Sequence, residues 1–234
     1  MDDQHQGTDK PYHRTIRSFV RREGRMTPRQ QQALETLWSR FGVDVPAGEL
    51  DFVSLFGRDG PVVIEIGFGM GQSLLNLALA NPQNNYLGIE VHRPGVGSLL
   101  AGLVEHTLSN VRVIMADAKE ILQRQVPAAS LEGVLLFFPD PWPKLRHQKR
   151  RLVQPEFVDL VASKLMAGGT FHMATDWENY AEQMLRVASN CQQLDNTAGA
   201  GQFTPRPDTR PLTKFERRGQ KLGHGVWDLL FVKR

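Results

Sequence analysis

The 234-residue chain contains a single cysteine, Cys191. A lone cysteine excludes an internal disulfide and a cysteine-rich zinc centre. It also fits a reducing compartment. No apolar run approaches the roughly 20 residues that a membrane span requires. The opening segment MDDQHQGTDKPYHR lacks the apolar stretch of a secretory signal. A cytoplasmic chain is therefore expected, with neither a membrane nor a metal as partner, and a monomer is preferred to a homodimer. Net charge is scarce too, at +3. That small excess is unevenly spread. From Lys10 to Arg40 there are eight Lys/Arg against two acidic residues, and from Pro61 to Asp140 four against seven. Basic character returns at 144–151 and again from Arg206 to Lys221. Basic segments around an acidic-leaning middle fit a polyanionic partner. Solvated helix faces are the plainer explanation of the same runs.

What is present is an α/β pattern behind a basic arm. Residues 1–13 are polar, and 14–25 read as a basic arm or short strand. Thr27 and Pro28 suit the cap and first position of a helix that stops near Gly42. From Pro61 onward, short apolar β-branched runs alternate with helical segments. Strands are expected at 62–67, 85–91, 111–117, 133–139, 170–176 and 225–234. Helices are expected at 72–80, 94–108, 118–125, 155–166 and 177–190. Such alternation predicts a mostly parallel sheet with helices on both faces. The chain divides into a basic arm and helix (1–58) and an α/β domain (59–234).

The most informative stretch is LLFFPDPWPKLRHQKRR, from Leu135 to Arg151. It opens as a buried strand and breaks at Pro139-Asp140-Pro141-Trp142-Pro143. Three prolines at alternate positions fix φ and remove donors, so a stiff lip holds a carboxylate and an indole at the strand end. Lys144, Arg146, Lys149, Arg150 and Arg151 follow at once. Open α/β sheets bind ligands at the carboxyl ends of strands, and clustered guanidinium groups suit phosphate.

Acidic residues recur at corresponding places. Glu65 leads into Gly67, Gly69 and Gly71, Glu90 ends the second strand, and Asp117 with Ala118 ends the third. Asp140 ends the fourth. Glycines at this turn permit close approach of a ligand to the backbone. The spacing is GxGxG, so the GxGxxG dinucleotide fingerprint is not met. Alone, the loop reads equally as a cofactor loop or a turn. A carboxylate at Glu90 suits ribose hydroxyls, and one at Asp117 suits an exocyclic amine.

The ordered set EIGFGMG, GIEV, MADA, FFPDPWPK, HMATDWENY and TKFE resembles the bacterial tRNA (guanine-N7-)-methyltransferase family. The likeness runs from about Arg17 to the C-terminus, and PDPWPK and TKFE are its specific segments. The resemblance implies a Rossmann-like class I methyltransferase fold, S-adenosyl-L-methionine as cofactor and tRNA as partner. The acceptor it implies is N7 of guanosine 46 in the variable loop. By the same resemblance Glu65, Glu90, Asp117 and Asp140 contact the cofactor, Asp140 also being catalytic. Lys144, Asp176 and Thr213, Lys214, Phe215 and Glu216 contact substrate. Arg146, Lys149, Arg150 and Arg151, with Arg17, Arg21 and Arg22 of the arm, are expected on the RNA backbone.

The residues make chemical sense of this. Guanine N7 has a free lone pair, so attack needs positioning and electrostatics rather than proton removal. A nearby carboxylate opposes the charge that develops on the ring. Asp140, Asp176 or Glu216 could hold the N1/N2 edge, and Trp142 could stack on the base or pack in the core. Three other readings stay open. They are an exocyclic-amine methyltransferase suggested by PDPW, a nicotinamide-dependent dehydrogenase suggested by the glycine loop, and an RNA-binding protein without catalysis.

Overall fold

The computed structural model describes residues 18, 19, 24–211, 216 and 225–234. The polar segment 1–13 lies outside the described residues, as do most of the arm and the expected site residues Arg17, Arg21, Arg22, Thr213, Lys214 and Phe215.

Seven strands form one sheet: β1 (Val62–Ile66), β2 (Asn85–Ile89), β3 (Val111–Ile114), β4 (Leu131–Phe137), β5 (Leu165–Thr175), β6 (Leu194–Asn196) and β7 (Trp227–Lys233). Their order is β3-β2-β1-β4-β5-β7-β6. The first five pair in parallel, and β7 runs antiparallel to both β5 and β6. Every residue of β1 and β2 is buried, which is why both read as continuous apolar runs rather than alternating ones.

The helices are α1 (Pro28–Phe41), α2 (Phe52–Phe56), α3 (Gln72–Ala80), α4 (Arg93–Glu105), α5 (Ala118–Arg124), α6 (Pro155–Lys164) and α7 (Glu178–Ser189). Strand alternation sends Ile64 and Ile66 to one face, with Phe157, Val158 and Tyr180. Val63 faces the other way, with Leu34, Leu74, Leu99 and Leu103. Two hydrophobic layers thus flank the sheet, as expected for a Rossmann-like α/β fold. Among the described residues no helix is long and apolar enough to cross a membrane.

Local chemistry explains most element ends. Thr27 and Gln30 form a reciprocal capping box at α1, with Pro28 in the first turn. Asp51 caps α2, and Asp117 caps α5 by accepting from the Lys119 amide at 2.9 Å. Helix α1 packs on α4, and a bridge from Gly42 to Val113 extends the sheet edge. The N-terminal helix therefore shares the core of the α/β unit. Three short elements were not expected from the sequence: α2, β6 and a 3₁₀ turn at Leu145–Arg150.

The chain leaves β1 toward β2 and β3 on one side and later places β4 on the other side of β1. A crevice opens at such a reversal of strand order, outside the carboxyl ends.

Candidate active site

A cavity of about 300 Å³ occupies that crevice. Gly67, Gly69, Glu90, Asp117, Ala118 and Asp140 all line it. These six come from the ends of β1, β2, β3 and β4, as the strand-tip pattern predicted. The arm contributes Ser18 and Phe19 to the wall, and the start of α4 contributes His92. These three carried no chemical signal in the sequence, because only the folded path brings them here.

Glu90 organises the floor. Its Oε2 accepts the Gly69 amide at 2.9 Å, and its Oε1 accepts the amides of Val91 at 2.6 Å and His92 at 3.0 Å. One carboxylate thereby sets both the glycine loop and the entry into α4. Gly67 and Gly69 take φ of 69° and 58°, and a Cβ at either position would stand in open space. A ligand can approach the main chain there. On the far side the packing is tight. A Cβ at Gly95 would stand 1.9 Å from the carbonyl oxygen of Gly69. Gly71 lies deeper, as the N-cap of α3.

Glu65 sits behind the loop, buried, and is not part of the cavity wall. Its Oε2 and the hydroxyl of Ser73 have no hydrogen-bond partner among the described residues. Burial pushes the Glu65 carboxyl up to about 8, against the pull of Ser73 and with added repulsion from Glu90. Its expected contact with the cofactor would be made from behind the glycine loop rather than from the cavity wall. Phe68 also points inward, into the core beside Leu74.

The lip after β4 is rigid for reasons beyond its prolines. Phe138 and Trp142 both adopt left-handed backbone, with φ of 53° and 45°. Such residues cost on the order of 1–3 kcal/mol each and persist only where neighbours over-determine them. The neighbours are identifiable. The Phe138 amide donates to the Ala174 carbonyl at 2.8 Å. The Trp142 indole N–H donates to the Ser18 carbonyl at 3.1 Å, and Arg150 lies 4.1 Å above the Trp142 ring centre. One face of the Trp142 ring is therefore taken, and its role is to clamp the lip to the arm and the basic turn. Asp140 itself is exposed at the cavity edge.

Arg151 requires a correction. It was expected on the RNA backbone, but its side chain is 2% exposed. Its Nε donates to the Pro141 carbonyl at 2.8 Å, Nη1 to Gln183 at 2.7 Å and Nη2 to Asn179 at 2.9 Å. The guanidinium is consumed in bracing the lip against α7. By contrast Lys144, Arg146 and Lys149 are exposed on the 3₁₀ turn, and Arg150 is half-buried. Partial desolvation, followed by Arg146, Lys144, Arg150 and Lys149, holds His147 below its ordinary value.

Glu216 is likewise not an open substrate ligand. Arg210 donates to both of its carboxylate oxygens at 2.7 Å. Arg210 also holds Asp228 on β7 at 2.6 and 2.9 Å, and Asp228 bonds His172 of β5 at 2.8 Å. All four side chains are buried. The Arg210 guanidinium lies 5.6 Å from the Phe138 ring centre, so this network backs the lip from the β5–β7 side. Nothing in the sequence distinguished Arg210 from its basic neighbours. Asp176 is exposed just beyond β5 and does not line the cavity.

Strand order 3-2-1-4-5-7-6, a glycine loop after β1 and acidic strand tips around one crevice define a class I, Rossmann-like methyltransferase fold. Solved structures agree on the fold. The chain is similar to the 16S rRNA methyltransferase KamB, with a TM-score of 0.57 at 15% identity, over 78% of this chain and 93% of that one. It is similar also to a 30S ribosomal A1408 methyltransferase from an uncultured bacterium, with a TM-score of 0.52 at 13% identity, over 83% and 98%. A family model described as "Putative methyltransferase" matches residues 59–229. Sequence relatives are far nearer. The tRNA (guanine-N(7)-)-methyltransferase of Hydrogenovibrio crunogenus is 57% identical, over 97% of this chain and 95% of its own length. That of Yersinia enterocolitica is 58% identical, over 94% and 92%. The chain belongs to the tRNA (guanine-N(7)-)-methyltransferase family.

Proposed function

We propose that this chain transfers a methyl group from S-adenosyl-L-methionine to N7 of guanosine 46 in the variable loop of tRNA. The observation that carries the reading is the placement of Asp140. It stands on a rigid lip at the mouth of the cavity, with an exposed basic turn directly after it. Identity above half over nearly the whole chain supports the same activity.

The cavity residues fit the cofactor. A volume of about 300 Å³ lies at the lower end of the range for small-molecule sites. Gly67 and Gly69 leave their backbone open to a ligand. Glu65, buried behind the loop, leaves Oε2 without a hydrogen-bond partner among the described residues and would suit an N–H-bearing group that reaches the loop. Glu90 would accept from ribose hydroxyls, and Asp117, whose Oδ1 is already used in the α5 cap, would accept from an exocyclic amine. When bound, S-adenosyl-L-methionine supplies an electrophilic methyl on a sulfonium.

Guanine N7 would take that methyl on its lone pair, with the donor leaving as a neutral thioether. The ring takes the positive charge, and no proton moves in this step. Asp140 faces that charge from a position fixed before reaction, which is where electrostatic preorganisation acts. Lys144, Arg146, Lys149 and Arg150 would hold the tRNA backbone, with Asp176 toward the base. Labelled-donor methylation of unmodified tRNA, followed by borohydride–aniline cleavage, tests this reading. Strand scission at position 46 is the expected result. Label without scission would indicate an exocyclic amine as the acceptor.

A further inference from the structure

The resemblance gave Asp176 a role and left its neighbour Trp177 with none. Trp177 is 41% exposed and is the one aromatic among the large apolar side chains exposed in the described residues. Single exposed apolar residues are common and ordinarily need no account. Three observations set this one apart.

The first is its place on the sheet. Trp177 follows β5 by two residues, and the tips of β4 and β5 run side by side through the Phe138–Ala174 bond. The indole is therefore carried on the same sheet edge as the lip and Asp140. The second is its support. Its own amide donates to Thr175 Oγ1 at 3.2 Å. Two residues later, Asn179 accepts from Arg151 and from Gln148 of the 3₁₀ turn, at 2.9 and 3.2 Å. The backbone that carries Trp177 is thus fastened to the basic turn. The third is its chemistry. The indole N–H and ring make no hydrogen bond, ring stack or cation contact with any described residue. Trp142, the other tryptophan near the lip, is committed on its N–H and on one face.

We propose that Trp177 is a stacking platform for a base of the bound tRNA, next to the reacting guanosine. This rests on the tRNA reading above. The occupant is a nucleobase rather than an apolar protein surface because the turn fastened to Asn179, two residues past Trp177, exposes Arg146 and Lys149, and the exposed Asp176 precedes Trp177 in the chain. An unstacked base beside a phosphate-holding turn satisfies both sets of groups. Any base presents a π-face, so the platform adds affinity without reading sequence. Trp177 acts on RNA placement and not on the cofactor.

The test uses the full chain as Trp177→Ala and Trp177→Phe. Unmodified tRNA binding is measured across a salt series, with adenosylhomocysteine affinity and the urea midpoint alongside. Loss of one stacked base should raise the tRNA Kd of Trp177→Ala about ten- to a hundredfold. The salt slope should stay unchanged, since stacking releases no counterions. Trp177→Phe should stay within about threefold of wild type, because a phenyl ring still offers a stacking face. Adenosylhomocysteine affinity and the urea midpoint should not move. Unchanged tRNA affinity in Trp177→Ala overturns the platform, as does a phenylalanine variant as weak as the alanine one. Parallel loss of adenosylhomocysteine affinity overturns it in favour of a structural role. Wild-type protein that binds no tRNA overturns the substrate reading and the platform together.

Discussion

The Glu90 carboxylate and the Gly69 amide are joined at 2.9 Å, so the tip of β2 holds the loop that leaves β1. A cofactor seated on that loop would depend on Glu90 twice, for its own hydrogen bonds and for the loop's shape. Glu90→Ala should weaken donor binding by about 1.5–3 kcal/mol, the worth of hydrogen bonds to a charged group. Calorimetry with adenosylhomocysteine measures this, and an unchanged dissociation constant would place the cofactor elsewhere.

Asp140 is exposed, so its removal should spare the fold. Asp140→Ala is expected to lose nearly all turnover with an unaltered unfolding midpoint. Asp140→Asn should also be impaired, because the charge opposes the developing cation. Wild-type turnover in Asp140→Asn at saturating substrates would rule out the charge role.

The basic turn divides into two functions. Neutralising the exposed Arg146 and Lys149 together should weaken tRNA binding and flatten its salt dependence. The slope falls by about 0.7–0.9 per lost phosphate contact on nucleic acid. Donor affinity should hold. Arg151→Ala should instead lower stability by about 1–3 kcal/mol, since the Pro141 carbonyl, Gln183 and Asn179 lose a buried donor. Urea unfolding beside tRNA binding separates the two, and a normal midpoint in Arg151→Ala would contradict the bracing role.

Glu65 makes stability depend on pH. Its folded carboxyl titrates near 8, above the ordinary 4.5, so the folded state binds more protons between those values. Stability must then fall as pH rises through that window. Glu65→Gln, which mimics the protonated acid, should flatten this dependence. Urea midpoints at pH 6 and pH 8.5 should diverge for wild type and draw together in the variant. Equal pH dependence in both proteins would mean that Glu65 is ionised throughout.

The parts of the fold legible in the sequence were those governed by local pattern. Buried strands announced themselves as β-branched runs, and Thr27-Pro28 announced a helix start, because both signals are made by adjacent residues. The acids at Glu90, Asp117 and Asp140 could be placed together since parallel strands put their carboxyl ends on one edge. The errors share another origin. Arg151 and Arg150 are neighbours of the same chemistry, and only tertiary packing buries one beneath the lip. Glu216 could not be seen as Arg210's partner, nor His172 as Asp228's, because those pairings join separate elements. Trp142 was the indole read from the sequence as a stacker or a core residue, and only the fold shows its N–H and one face already taken.

The approach of Gly95 to Gly69 carries a constraint on how such a chain can vary. Any side chain at position 95 would overlap a backbone oxygen of the loop, and backbone cannot swing aside as a rotamer can. The register of α4 against the loop is thus set by an absent methyl group. A lineage that altered one surface would have to alter the other in the same step, or lose the loop conformation on which Glu90 closes. Donor recognition should therefore drift slowly at this contact, and new RNA preferences are expected to arise at the lip, the basic turn and the start of α7.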